Sequence, residues 1–165
     1  MIPLPQSEMP PPADHSRATR LHNEWLAAID AQSADIALFM RNVASDAAWH
    51  RLMTAIFGNS PYLSGLLLEH PTVFMAFAEK GPDRCLSDLI AAIAIPDQAA
   101  NASVANTDVT AAMVQLRQLK SQAALLIALA DIAGLWSVDQ VTAALSNFAD
   151  AAVRLALRVL LLQAH

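Results

Sequence analysis

Residues 122–136 read QAALLIALADIAGLW, an almost wholly apolar run interrupted near its end by one carboxylate, Asp131. A membrane span, a core helix and a site built around that aspartate would each predict a different molecule. A transmembrane helix needs about 20 consecutive apolar residues. The longest uninterrupted run here is Ala123–Ala130, with Lys120 ahead of it and Asp131 behind. The stretch is too short to cross a bilayer, and its spacing predicts a core helix.

Working outward, the helix should run from about 107 to 133. Val109, Ala112, Met113, Leu116, Leu119, Ala123, Leu126, Ile127 and Ala130 recur every three or four residues on one stripe. Gly134 stops it, and Ser137 with Gln140 forms a capping-box pattern that opens a second long helix running to the C-terminus. The expected core stripe of that helix is Val138, Val141, Leu145, Phe148, Ala152, Ala156 and Val159, with Asp150 and Arg154 on the opposite, solvated face. A connection as short as 134–137 predicts an antiparallel pair. Leu157 and Leu161 project toward the polar side, and the final RVLLLQAH carries no capping glycine. That end reads as cut, or as covered by a partner, and self-association through the last helix is expected.

Upstream, the chain reads as shorter helices. The first should cover about 16–31, with Leu21, Trp25, Ala28 and Ile29 on one face. The second should cover about 34–43, with Ile36, Phe39, Met40 and Val43. Ser45 is the expected N-cap of DAAWHRLMTAIF, and Gly58 its C′ residue. Ser60 then caps a helix with Pro61 at its first position, whose buried face is Tyr62, Leu63, Leu66 and Leu67. His70-Pro71 opens another that closes at Gly81, and Pro82 starts a short one ended by Pro96. Residues 96–106, PDQAANASVAN, read as the longest interior loop. Strand signals are nearly absent. The fold class is all-α: a long C-terminal helix pair with shorter helices packed across it, forming a single domain over 16–165.

Composition narrows the functional classes. Hydrophobic residues make up 55% of the 165, charged residues 15%, and the net charge is −5. An acidic balance argues against a nucleic-acid platform, which needs a basic patch. The lone cysteine, Cys85, excludes an internal disulfide and fits a reducing cytoplasm. Five of the nine prolines fall in the first twelve residues, and 1–15 reads as a Pro-rich mobile tail, with neither the basic nor the apolar region of a signal peptide. His15 and His22 with Asp14 offer metal-ligand chemistry on paper. Solvated residues around a helix start are the stronger reading.

Catalytic motifs are missing. Neither GxGxxG nor GxxxxGK[ST] occurs, so no glycine-rich loop cradles phosphate. No DxD or ExD pair exists to hold the ions of metal-dependent phosphoryl transfer, and no two histidines or cysteines have metal-ligand spacing. No catalytic, metal or cofactor-binding residue is assigned. Asp131 lies about 20° around the helix from Lys120 but roughly 16 Å along it, too far to pair. With Arg117 these residues form a polar seam beside the apolar stripe. Either Asp131 meets a basic group or water at the rim, or the seam is a docking surface on which Arg117 and Lys120 meet acidic or phosphorylated groups.

Two segments resemble a known family. FGNSPYLSGLLLEHP, 57–71, is similar to a segment near the start of bacterial bifunctional glutamine synthetase adenylyltransferase/adenylyl-removase, its turn made of Asn59, Ser60, Pro61 and Tyr62. The stretch 116–161 resembles that family's later helix pair, with Leu116, Arg117, Lys120, Leu125, Ile127, Ala128 and Asp131 on its LRxxKxxxxLxIAxxD pattern. Together the two span most of 45–165. Ser121 and Gln122 stand where further basic residues are common in the family.

The resemblance implies a large cytoplasmic enzyme with two nucleotidyltransferase halves, using magnesium and ATP. One half attaches AMP to a tyrosine of glutamine synthetase, and the amino-terminal half removes it by phosphorolysis. A PII signalling protein and glutamine set the balance. The helices seen here would precede the first catalytic core, whose paired aspartates lie beyond His165. This chain is thus expected to be an inactive helical scaffold whose partners are the remainder of that enzyme and glutamine synthetase. The alternative is a stand-alone helical interaction module.

Overall fold

A computed structural model describes residues 1–5, 9–93 and 109–163. The expected loop 96–106 and the stop at Pro96 lie outside them. Among the described residues there are eight α-helices, one 3-10 turn and no strand. Helix α1 spans His15–Ala27, and α2 Ala34–Ser45 follows a 3-10 turn at Ile29–Ala31. Next come α3 Ala47–Asn59, α4 Pro61–Glu69, α5 Pro71–Lys80 and α6 Pro82–Ile93. The long helices are α7 Val109–Ile132 and α8 Val138–Gln163.

The quoted stretch is core helix. Leu125, Leu126, Leu129, Ala130 and Ala133 are each at most 1% exposed, so this half of α7 is buried on more sides than a single stripe would require. They join a cluster with Trp25, Phe39, Trp49, Phe57, Phe74 and Phe77 from α1 to α5. Phe39 and Trp49 meet Phe74 edge-on at centroid distances of 5.3 and 5.6 Å. A second cluster joins Leu89 and Ile93 of α6, Leu119 and Ala123 of α7, and Leu155 and Val159 of α8.

Helix α7 ends in a Schellman turn. Gly134 has φ +66°, its N–H donates to Asp131 O at 2.9 Å, and Leu135 N–H donates to Ala130 O at 2.9 Å. The capping box follows as expected: Ser137 N–H donates to Gln140 Oε1 at 2.9 Å, and Gln140 N–H to Ser137 Oγ at 3.4 Å. Trp136 sits on the turn, and its Nε1–H donates to Asp83 Oδ1 at 3.2 Å, tying the turn to the start of α6.

Several sequence expectations are corrected. The first helix stops at Ala27, and the 3-10 turn redirects the chain so that Ile29 is still buried. Ser45 closes α2 rather than capping α3, its hydroxyl donating to Arg41 O. The cap of α3 is Asp46, whose Oδ1 accepts from Ala48 and Trp49 N–H at 2.8 and 3.1 Å. Gly58 lies inside α3 rather than after it, and its missing side chain makes room for Pro12, whose Cα sits 2.7 Å from where a Cβ would be. Tyr62 is 60% exposed and Met113 49%, both outside the core.

On α8 the core face is Val141, Ala144, Phe148, Ala151, Leu155 and Val159, a stripe rotated by roughly 50° from the expected one. Val138 and Leu145, expected inside, are 77% and 53% exposed. Apolar residues line two sides of α8, and periodicity alone does not say which side the domain covers.

The cap correction generates a first prediction. Asp46→Ala should cost about 1 kcal/mol, whereas Ser45→Ala should stay within about 0.5 kcal/mol, as measured by urea unfolding.

Candidate functional site: the α3–α4 joint and the polar seam of α7

Residues 58–61 form a joint that serves two helices at once. Ser60 ends α3, its N–H donating to Ile56 O, and begins α4, its Oγ accepting from Leu63 N–H at 3.2 Å. Pro61 occupies the first turn of α4, where its missing N–H costs nothing. Buried Ser64 donates to the carbonyls of Ser60 and Ile56 across the same joint.

Asn59 turns this joint into an anchor. Its Oδ1 accepts from Ala13 N–H at 3.0 Å, and its Nδ2 donates to Pro11 O and Ala55 O. Arg17 reaches back from α1 and donates to Phe57 O at 2.9 Å and Gly58 O at 2.6 Å, satisfying carbonyls at the C-terminal end of α3. Where the sequence suggested a mobile tail, Ile2, Leu4 and Met9 pack against the main core, and Ile2 N–H donates to Ala78 O. Asp14, set aside as a metal ligand, caps α1 by accepting from Arg17 N–H at 2.8 Å. The Asn-Ser-Pro part of the motif turn is thus structural glue, while the Tyr62 ring points into solvent.

On α7, Arg117, Lys120 and Asp131 are all exposed. The seam exists as surface, and no ion pair joins its members. Asp131 takes the rim position, its backbone carbonyl serving the Schellman turn. Next to the seam, Ser121 Oγ donates to Gln118 O at 2.8 Å and lies 3.0 Å from His70 Nε2. With its proton committed to Gln118, the hydroxyl accepts from Nε2–H. This contact ties the α4–α5 junction to α7.

A cleft of about 280 Å³ opens among α5, α6 and α7, lined by Val73, Leu89 and Leu119 with Lys80, Cys85 and Asp88. Burial pushes the Cys85 thiol pKa up, against a smaller lowering by Lys80 and with a further raise from Asp88. A thiol held protonated is a poor nucleophile. Among the described residues no three of His, Cys, Asp and Glu gather as a metal ion would require. No described helix is long and apolar enough to cross a membrane.

Sequence reasoning missed a histidine pair. The His22 ring meets the His50 ring edge-on at 4.6 Å, between α1 and α3, and its Nδ1 is buried without a hydrogen-bond partner. Seven residues separate His22 from His15 along α1, but 28 separate it from His50, so no local spacing revealed the contact.

Comparisons with known proteins place this all-helical arrangement. The family model for glutamate-ammonia ligase adenylyltransferase matches residues 49–165, and the chain belongs to that family. It is 38% identical over 159 residues to the bifunctional glutamine synthetase adenylyltransferase/adenylyl-removing enzyme of a Bradyrhizobium species, covering 96% of this chain and 15% of that protein. To the enzyme of the same name from Bradyrhizobium diazoefficiens it is 36% identical over 159 residues, again 15% of the relative's length. To that from Caulobacter vibrioides it is 38% identical over 112 residues, 68% of this chain and 10% of the relative. The chain thus spans about 15% or less of the curated relatives it matches. No solved structure matches it.

Two predictions arise from this geometry. Asn59→Ala removes the anchor of residues 11–13 and should lower stability by about 1–2 kcal/mol, with faster proteolysis near the N-terminus. His22 has its pKa lowered from 6.5, first by burial and second by His50. A lowered folded-state pKa means the unfolded chain takes up the proton first. Stability is therefore full above about 6.5 and declines as pH falls toward the lowered value. His22→Gln should flatten that decline in urea midpoints measured between pH 7.5 and 5.

Proposed function

We propose that this chain is a helical scaffold from the adenylyl-removing half of a glutamine synthetase adenylyltransferase, positioning a nucleotidyltransferase core and helping to seat glutamine synthetase. Family membership supports the class. The observation that carries the specific role is the exposure of Arg117 and Lys120 on α7, whose following turns are locked into the core. Two exposed cations on a helix whose following turns are packed in the core suit an acidic or phosphorylated surface of a neighbouring domain or of the substrate protein, since a backbone already ordered forfeits less entropy on docking. Magnesium, ATP and the reacting carboxylates belong with the remainder of the enzyme, and a PII signalling protein acts on that assembly. Its location is the cytoplasm.

The reading is tested by transplanting this chain in place of the matching segment of the Bradyrhizobium enzyme. The chimera should retain adenylyl transfer to and removal from glutamine synthetase. Arg117→Glu with Lys120→Glu should reduce removal roughly tenfold or more, equivalent to about 1.4 kcal/mol of lost interaction, with an unchanged melting temperature. An inactive but folded wild-type chimera would exclude the scaffold role.

A further inference from the structure

The main core claims only the inner halves of the two long helices. On α7 it begins at Ala124, and on α8 it reaches no further than Ala144. The outer halves, 109–120 and 151–163, are held by the second cluster, in which Leu119 of α7 meets Leu155 and Val159 of α8. They carry six of the twelve large apolar side chains exposed among the described residues: Met113, Val114, Val153, Leu157, Leu160 and Leu161, each 46–63% exposed. They also carry Arg117, Lys120, Arg154 and Arg158 and no Asp or Glu. A charge of +4 here, in a chain of net −5, leaves −9 on all the rest. Cations gathered with exposed leucines at one end of an acidic domain make an apolar anchor with a charged rim, the anatomy of an interface.

We propose that the outer half of the α7–α8 pair docks an amphipathic helix with an acidic edge, supplied by the part of the longer family polypeptide that lies outside residues 1–165. Val153, Leu157 and Leu160 stand at i, i+4 and i+7 on α8 and fall within about 60° of one another, a ridge roughly 10 Å long. A ridge of this spacing packs into the groove of a facing helix. Arg154 and Arg158 both lie on one side of the ridge, about 100° and 140° round from Val153. A facing helix therefore meets apolar side chains along its centre and guanidinium groups along one edge, and carboxylates are the groups that such an edge recognises.

The source follows from the lengths of the relatives. They are matched over 15% or less of their own chains, so most of each polypeptide lies elsewhere and is tethered to the matching segment. Tethering holds a segment at an effective concentration of about a millimolar, enough to fill a ridge of three side chains that a free partner would occupy only weakly. An anionic bilayer also attracts cations and leucines, but a body of charge −9 is repelled from it. A helix instead brings its carboxylates only to the edge that needs them. The contact rests on the scaffold reading for its source and adds the chemistry of the partner.

The test compares cysteine reactivity in the 165-residue chain and in the chimera that carries it within the Bradyrhizobium enzyme. Leu157→Cys in a Cys85→Ser background is labelled with a maleimide and read by peptide mass spectrometry. Labelling should be at least roughly tenfold slower in the chimera, at every protein concentration, since a site buried by a tethered segment does not depend on dilution. Arg154→Glu should return it to the rate of the isolated chain with unchanged circular dichroism, whereas Arg154→Lys should keep the protection. Equal rates in the two proteins would overturn the proposal, and protection that survives Arg154→Glu would overturn the acidic partner. Protection of the isolated chain that grows with its own concentration would assign the face to a second copy. Protection that appears only with phosphatidylserine vesicles would assign it to a membrane, and either result overturns the proposal. An active chimera without protection fails the docking contact alone, and a protected but inactive one fails the scaffold reading alone.

Discussion

Everything else in this domain hangs on the burial of the second half of α7. Leu125, Leu126 and Leu129 are essentially inaccessible, and each contributes about 1.5–3 kcal/mol relative to an exposed position. Helices α4, α5 and α6 pack directly against α7, and α1 to α3 complete the same main cluster. None of those six exceeds 13 residues, a length that is marginal for an isolated helix in water, so each depends on what it packs against. The aromatic group of Phe39, Trp49, Phe74 and Phe77 belongs to the same cluster, and removing the α7 leucines would leave it without a floor.

Once that core is fixed, the turns decide how the short helices are laid around it. Punctuation was the most legible part of the sequence: Pro61, Pro71 and Pro82 each begin a helix, and Gly81 and Gly134 each follow one. These residues act through local backbone chemistry, so a local reading recovers them. Gly58 misled because its reason is distant. It is glycine to admit Pro12, 46 residues earlier, and no window around position 58 contains that fact. The same distance hid the work of Asn59 and Arg17, which turn a proline-rich segment into part of the fold.

Burial on the surface helices was legible only in part. The buried positions of α7 around Leu126 could be read because the helix is apolar on nearly every side, so any stripe drawn through it passes through core. On α8 the choice of face mattered, and apolar residues at both three- and four-residue intervals allowed two solutions roughly 50° apart. The side beginning with Val138 and Leu145 carries larger residues, whereas Ala144 and Ala151 on the true inner face are small. Small residues let α8 approach α6 and α7 closely, and that requirement ranks against hydrophobicity when a stripe is chosen by size. At the candidate site, the polar character of Arg117, Lys120 and Asp131 was legible, as was their separation along α7. The His22–His50 contact was not, because it is made between helices.

Exposure that looks anomalous in one domain becomes intelligible when each helix is asked how many neighbours it has. In α7 most residues after Gln122 are buried, with Asp131 exposed at the far end, so the polar outer surface lies mainly on the first half, where Arg117 and Lys120 fall. In α8 the neighbours lie on one side only, and the other side is still apolar. A solvated surface helix would carry Lys and Glu at Leu145, Val153 and Leu157, since charged residues there cost almost nothing and apolar ones risk aggregation. The domain thus presents two contrasting faces, one cationic on a helix held rigid by the core and one greasy on a helix held from behind. The cationic face suits a partner chosen by charge, and the greasy face suits a partner held by burial.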